Sequence, residues 1–294
     1  MPYIHRWDVD RPRLLVHIVH GMAEHGARYD RLARELNAHG IAVWAHDHRG
    51  HGKTATPSGG LLGHFADANG WRLVVDDAWG VSREMAAAHA GVPLVLFAHS
   101  MGSFVGQTLL GEHGDTYRAV VLSGTDGPPD VAEGFLRTLS VVQVRFLGGR
   151  SPGRWIDSQI RRNFNSRFEP RKTDFDWLSR DAAEVQKYVD DPLCGFVLSS
   201  QTWFEFLHGK SDLGNDAQVG RIPRTLPIHL IAGTHDPVGK DGKGVRKLFD
   251  IYTKQGLMVT KQLYDDARHE LVNETNRKDV TADLIAWLRQ FAVS

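Results

Sequence analysis

Short apolar runs punctuate this chain, and most are too brief and too rich in β-branched residues to be helices. Leu14-Leu15-Val16-His17-Ile18-Val19 comes first, and its unbroken apolar character predicts a buried strand. Residues 29–39 then place Leu32, Ala33 and Leu36 on one helical face, and Gly40 ends the segment. Further strands are predicted at 41–45, 93–97 and 119–122. Helices are predicted at 71–89, with Leu73, Val74, Ala78 and Val81 on one side, and at 104–113. Strand and helix alternate, and the strands are continuously apolar. That pattern predicts an α/β fold, a mostly parallel sheet with helices on both faces.

After Leu122 the rhythm breaks. Residues 127–222 show helix-like segments with aromatic and basic residues but no clear buried strand. Gly127-Pro128-Pro129 opens this stretch, and Pro223 and Pro227 bracket its exit. The pattern then resumes with a strand at 228–232, a helix at 244–254, a strand at 259–264 and a closing helix at 280–291. The simplest organisation is a core domain, 1–126 with 223–294, interrupted by a helical cap at 127–222.

Composition narrows the class. A hydrophobic share of 41% and a charged share of 24% are ordinary for a soluble globular protein. The 294 residues suffice for one large α/β domain with an insertion. Formal net charge is zero, so a nucleic-acid partner has no electrostatic support. Cys194 is the lone cysteine, which excludes an internal disulfide and fits a reducing compartment. The N-terminal residues lack the apolar core of a secretory signal, and no run approaches the ~18 apolar residues of a membrane span. The expectation is a soluble, cytoplasmic protein.

Candidate chemistry begins at Ala98-His99-Ser100-Met101-Gly102, between the strand at 93–97 and the helix at 104–113. A serine on a sharp strand-to-helix turn, flanked by small residues, is the setting of a nucleophile elbow. The plain alternative for Ser100 is a helix N-cap. A serine nucleophile needs a base and a carboxylate to hold that base. On such sheets they follow in the order Ser, Asp or Glu, then His, at the carboxyl ends of later strands. Asp236 follows the strand at 228–232, where it also has the plainer reading of a turn residue before Pro237. His269 follows the strand at 259–264. His229 lies inside a strand, and His235 adjoins the acid and is badly placed to reach the serine. An oxyanion site needs two N–H groups. Met101, after the serine, supplies one. Met22, in the glycine-containing loop His20-Gly21-Met22-Ala23-Glu24-His25-Gly26, is the natural second.

Together these blocks, with Asp47-His48-Arg49-Gly50-His51-Gly52 and Gly233-Thr234-His235-Asp236, resemble the monoacylglycerol lipase and lysophospholipase branch of the α/β hydrolases, often described as serine aminopeptidase S33-like. The resemblance covers the sheet domain, about residues 12–125 and 226–290. It implies Ser100, Asp236 and His269 as a triad, Met22 and Met101 as oxyanion donors, and no metal or organic cofactor. Ala98 departs from the glycine that the family mostly carries there, but it keeps the small side chain the turn requires. The Asp47 block reads as a glycine-supported turn rather than as site residues.

The expected activity is hydrolysis of monoacylglycerol, lysophospholipid or other small acyl esters through an acyl-enzyme. Two alternatives stand beside it: an amide or peptide hydrolase of the same fold, and a non-catalytic scaffold that binds a small ligand. In the cap, Phe135, Leu136, Leu139, Val142 and Phe146 recur at three- and four-residue spacing. Phe135, Leu139, Val142 and Phe146 are therefore expected to line an acyl site or to dip toward a lipid surface, with Trp203-Phe204-Glu205-Phe206-Leu207 as a second wall. Arg150, Arg154, Arg161, Arg162, Arg167, Arg171, Lys172 and Arg180 face only four acidic residues between 150 and 180. They are either an ion-paired cap surface or a patch for anionic lipid.

Overall fold

The computed structural model describes residues 1–55 and 60–293. Seven strands form one sheet: β1 (Ile4–Trp7), β2 (Leu14–Val19), β3 (Ile41–His46), β4 (Leu94–His99), β5 (Ala119–Ser123), β6 (Ile228–Gly233) and β7 (Val259–Tyr264). Their order across the sheet is β1-β3-β2-β4-β5-β6-β7. Every pairing is parallel except that of β1 with β3. The five strands from β2 to β6 are wholly buried, because helices cover both faces of the sheet.

β1 has no counterpart in the sequence reading. Ile4-His5-Arg6-Trp7 is a half-exposed edge strand, with neither a long apolar run nor clean alternation. β4 runs two residues further than the sequence suggests, through Ala98 and His99, and the next helix begins at once (Met101–His113). Ser100 is thus the single residue between strand and helix.

Two apolar cores flank the sheet. On one face, Tyr29, Leu36, Phe97 and Leu284 gather under helices Asp30–Asn37 and Arg277–Leu288. On the other, Trp44, Val74, Leu96 and Val105 pack under helices Gly70–Ala88 and Met101–His113, and this core continues into Trp203, Phe206 and Leu207 of the inserted segment. The insertion is fused to that face rather than perched on it. Gly209 lets helix Ser200–Gly209 lie so close to helix Gly70–Ala88 that a Cβ there would collide with the Trp71 ring.

Among the described residues, 127–222 contains helices and one isolated bridge, Pro152 to Ser199, but no strand. The segment leaves after β5 and returns before β6, and those two strands are neighbours. Among the described residues, no helix is long and apolar enough to cross a membrane.

Candidate active site

Ser100 adopts φ 54° and ψ −122°, a left-handed backbone that a residue with a Cβ adopts at a cost of roughly 1–3 kcal/mol. Its surroundings hold it there. The Ser100 N–H donates to the Ser123 carbonyl at 2.9 Å, and its own carbonyl accepts from Ser103 N–H at 2.8 Å and Ser103 Oγ at 2.6 Å. The small neighbours have separate reasons. A Cβ on Gly102 would strike the carbonyl oxygens of Val19 and His20 at the end of β2. Ala98 is wholly buried against the backbone of Gly106.

Asp236 and His269 sit on the loops after β6 and β7. His269 Nδ1 lies 2.9 Å from Asp236 Oδ1, and both side chains are buried. The carboxylate only accepts, so Nδ1 carries the hydrogen and Nε2 of the neutral ring carries the lone pair. Nε2 is buried without a protein hydrogen-bond partner, and His269 shares a cavity wall with Ser100. Burial opposes a charged imidazole, but the Asp236 carboxylate outweighs it, so the pKa of His269 lies above its usual 6.5. His99, with its ring centroid 4.7 Å from that of His269, is pushed the other way, to about 4, by burial and then by His269. The inserted segment braces the imidazole. Trp177 packs its ring 5.0 Å from His269, and the Leu178 carbonyl accepts from Glu270 N–H at 2.8 Å.

Met101 opens its helix, so its N–H has no partner within the helix. Met22 lies in the loop after β2, and both residues line the cavity beside Ser100. Among the described residues no protein acceptor takes either N–H. A buried ionic network fixes this loop against the loop that carries His269. Glu24 accepts from Gly21 N–H at 2.5 Å, Tyr29 OH at 3.0 Å and Arg28 at 2.7 Å. Arg28 then forks onto both oxygens of Glu270 at 2.6 and 2.7 Å. Burial works against the Glu270 charge, yet Arg28 holds its pKa down at about 2. Sequence reasoning missed this network. Its local signal was the four-residue spacing of Glu24 and Arg28, but the third member is remote in the chain.

The cavity measures about 420 Å³. Apolar side chains from the inserted segment form much of its wall, among them Leu136, Ile160, Phe164, Trp177, Phe196 and Trp203. The expected second wall is partly there, since Trp203, Phe206 and Leu207 all line it. The expected first wall is not. None of Phe135, Leu139, Val142 and Phe146 reaches the cavity. Phe135 and Phe146 are 68% and 75% exposed, Val142 is also exposed, and Leu139 packs into the core. The inward side of helix Val131–Leu147 instead carries Leu136 toward the cavity and buries Ser140 and Gln143. Periodicity reports that an apolar stripe exists, not which way the stripe faces.

Charged groups also line the cavity. Lys240 pairs with Asp126 at 2.8 Å and Asp130 at 3.0 Å, and Lys210 pairs with Glu133. Of the basic residues between 150 and 180, Arg150, Arg161, Arg167 and Arg180 are ion-paired, to Asp67, Asp157, Asp241 and Glu274. Asp47 accepts from Gly26 N–H, Lys53 N–H and the His5 ring, and neither His48 nor His51 lines the cavity. The Asp47 block is a structural turn.

The sequence pattern of a family described as "Serine aminopeptidase, S33" matches residues 10–276. The chain is 28% identical to the monoacylglycerol lipase of Mycolicibacterium smegmatis over 286 residues, covering 96% of this chain and 90% of that one. It is 29% identical to the monoglyceride lipase of Mus musculus over 278 residues, 90% of this chain and 77% of the other. A crystal structure of a thermostable carboxyl esterase from Bacillus coagulans in complex with glycerol superimposes with a TM-score of 0.90 at 27% identity, covering 99% of this chain and 94% of that one.

Proposed function

Since this chain belongs to the serine aminopeptidase S33 family, we propose that it is a carboxylic-ester hydrolase for monoacylglycerol- or lysophospholipid-type substrates, working through an acyl-enzyme on Ser100. The observation that carries the reading is the buried Asp236–His269 pair, whose free Nε2 shares a cavity wall with a serine held at positive φ.

The geometry supports the following steps. His269 Nε2 takes the Ser100 proton as Oγ attacks the ester carbonyl. Asp236 holds the ring in the required tautomer and stabilises the imidazolium that forms. The Met22 and Met101 N–H groups take the developing oxyanion, aided by the positive end of the helix that Met101 begins. His269 then protonates the leaving alcohol. Water, deprotonated by the same nitrogen, releases the acid.

Two features favour esters over substrates with a free amino group. The cavity is within the usual size for a small ligand and is largely apolar. Each carboxylate on its wall already has a cation: Glu24 and Glu270 have Arg28, Asp126 and Asp130 have Lys240, Glu133 has Lys210, and Asp157 has Arg161. None is left to hold a substrate ammonium. The names borne by the similar lipases and esterase point the same way.

The outward stripe of Val131, Phe135, Val142 and Phe146, beside exposed Trp155, has the composition of a surface that meets lipid transiently while the cavity below receives the acyl chain. Fluorophosphonate labelling of wild type and Ser100→Ala, with a panel of monoacylglycerols, lysophospholipids, nitrophenyl esters and aminoacyl amides, tests the reading. Labelling of the wild type alone, and turnover of the acyl esters, is expected. Equal labelling of both proteins rejects Ser100, and turnover of amides over esters rejects the substrate class.

A further inference from the structure

Five histidines are wholly buried beneath the loop that carries Met22: His17 on β2, His46 at the end of β3, and His20, His48 and His51 on the following loops. The cavity does not include His17, His46, His48 or His51, and none of the five has a step in the mechanism above. His17, His46 and His48 form a ring-to-ring hydrogen-bonded series whose direction follows from the carbonyl at its end and from the neutrality of the buried rings, and His20 and His51 bond to backbone groups beside it.

His48 Nε2 lies 3.0 Å from the His20 carbonyl, which only accepts, so that nitrogen carries the hydrogen. His48 Nδ1 must then accept, and its partner at 3.2 Å is His46 Nε2, which therefore donates. His46 Nδ1 accepts in turn from His17 Nε2 at 2.9 Å. His17 Nδ1 accepts from the Ser82 hydroxyl at 2.8 Å, and Ser82 Oγ lies 2.9 Å from the Tyr117 hydroxyl. The remaining rings have the other tautomer. His20 Nε2 accepts from the His48 backbone N–H at 3.0 Å, so its Nδ1–H donates to the Gly21 carbonyl at 2.7 Å. His51 Nε2 accepts from Ala23 N–H at 3.1 Å and its Nδ1–H donates to the Arg49 carbonyl at 2.9 Å.

An extra proton anywhere in the series would set two donors against each other. Burial agrees with that constraint: it pushes His17 to about 3, with His48 adding to the effect, and His51 to about 4. All five rings are neutral, and the bonds from Ser82 through His17, His46 and His48 to the His20 carbonyl run one way.

The ring series ends on the His20 carbonyl, and the His20 ring, held at Nε2 by the His48 backbone N–H, donates to the Gly21 carbonyl beside Met22. The Gly21 carbonyl and the Met22 N–H belong to one planar trans peptide, so they point in opposite directions. A donor fixed on that carbonyl sets where the Met22 N–H aims, and hydrogen-bond polarisation strengthens that N–H as a donor. The next peptide is clamped as well. Ala23 sits at φ 53°, its N–H held by His51 and its carbonyl by Tyr188 OH at 2.8 Å and Gly195 N–H at 2.9 Å.

We propose that Tyr117, Ser82, His17, His46 and His48 form a positioning relay that, through His20, aims the Met22 N–H at the reacting carbonyl. The proposal rests on the reading of Met22 as an oxyanion donor. None of the five touches the cavity, so they are positioning residues and act only through the loop.

The test uses the full-length protein with a nitrophenyl butyrate ester and an alkyl boronic acid, whose hydroxyl on the Ser100 adduct occupies the oxyanion position. His17→Leu removes the central link. It is expected to lower kcat about tenfold with KM within about twofold, and to weaken the boronic acid in parallel. That loss is smaller than the ~10²–10³ expected for losing an oxyanion donor outright. His17→Gln, which keeps a donor toward His46 and an acceptor toward Ser82, is expected to recover most of the loss. Imidazole ¹⁵N spectra of the wild type should show His17, His46 and His48 as Nε2–H tautomers and His20 and His51 as Nδ1–H tautomers. A His17→Leu protein that melts earlier but keeps wild-type kcat overturns the relay, as does the opposite tautomer at His46 or His48. If His17→Leu does not fold, Ser82→Ala takes its place with the same two outcomes. Fluorophosphonate labelling keeps the two ideas apart: labelled, fully active His17→Leu rejects the relay alone, whereas equal labelling of wild type and Ser100→Ala rejects the catalytic reading and the relay with it.

Discussion

The loops at the carboxyl ends of the strands and the inserted segment above them enclose one cavity, yet they are built by different rules. On the sheet side, short buried hydrogen bonds tie Ser100 to β5, His269 to Asp236 and the Met22 loop to Glu24. On the cap side, helices are stapled to the sheet side by ion pairs of mixed exposure, such as Arg167 with Asp241 and Lys240 with Asp130. One helix there even turns its apolar stripe outward. Bond-making needs groups fixed to within fractions of an ångström, whereas accommodating an alkyl chain needs only an apolar surface of the right shape. The contrast predicts that substitutions below the cavity change whether the reaction occurs, and that substitutions above it change which substrate reacts.

The largest effect should come from Ser100→Ala. Turnover of a nitrophenyl ester should fall by about 10⁶-fold, the loss expected if Ser100 is the nucleophile, with the melting temperature nearly unchanged because alanine keeps the Cβ and loses only the hydroxyl. His269→Ala should lower kcat by about 10⁶-fold, like loss of the nucleophile, and Asp236→Asn by roughly 10⁴, and the double variant should be little worse than His269→Ala alone, because the members act as a unit. An additive double variant would separate them. The pH profile gives a finer reading of the same pair. His269 works as a base only when neutral, so kcat/KM should fall as the pH drops through its raised pKa, and Asp236→Asn should move that limb to lower pH. Linkage runs in the opposite sense. A raised folded-state pKa stabilises the fold below the unfolded value near 6.5, and that contribution is lost as pH rises through the folded value. Melting curves of wild type and His269→Gln across that interval would show whether the difference has this sign.

Next comes Arg28→Met, which leaves Glu24 and Glu270 buried without their cation. Breaking such a network from one side costs about 3–5 kcal/mol, so the urea midpoint should drop sharply. A small change would mean that water reaches these carboxylates. Above the cavity, Leu136→Ala should alter the ratio of kcat/KM between octanoyl and acetyl esters by about 10- to 200-fold at most, with the acetyl value nearly constant. A uniform loss across chain lengths would turn Leu136 into simple packing. Smallest of all, Phe135→Ser with Phe146→Ser should leave soluble-ester turnover and stability within about 0.5 kcal/mol of wild type, yet weaken sedimentation with phosphatidylcholine–phosphatidylglycerol vesicles. Unaltered sedimentation would remove the lipid-facing role.

The same contrast governs what the sequence discloses. The β2 to β6 strands and the positions of Ser100, Asp236 and His269 at strand ends follow from rules that act within a few residues: apolar run length, turn chemistry and chain order. β1 escaped because an edge strand with one half-exposed side has no such signature. The outward stripe of Phe135, Val142 and Phe146 was legible as a stripe, but its direction depends on helix Val131–Leu147 packing against helix Ser200–Gly209, and no local pattern encodes that contact. Glu24, Arg28 and Glu270, like the five buried histidines, combine residues far apart in the chain, so each looks unremarkable until the strands are laid side by side.

The insertion between two adjacent strands also bears on synthesis. β5 emerges from the ribosome on the order of a hundred residues before its partner β6. At about 5–20 residues per second, the growing sheet spends several seconds with the largely apolar edge of β5 unpaired. Through that interval the only new chain available to cover the edge is the cap itself. A ribosome-stalled chain ending near residue 225 should therefore present β5 to proteases and chaperones, and one extended past β7 should not.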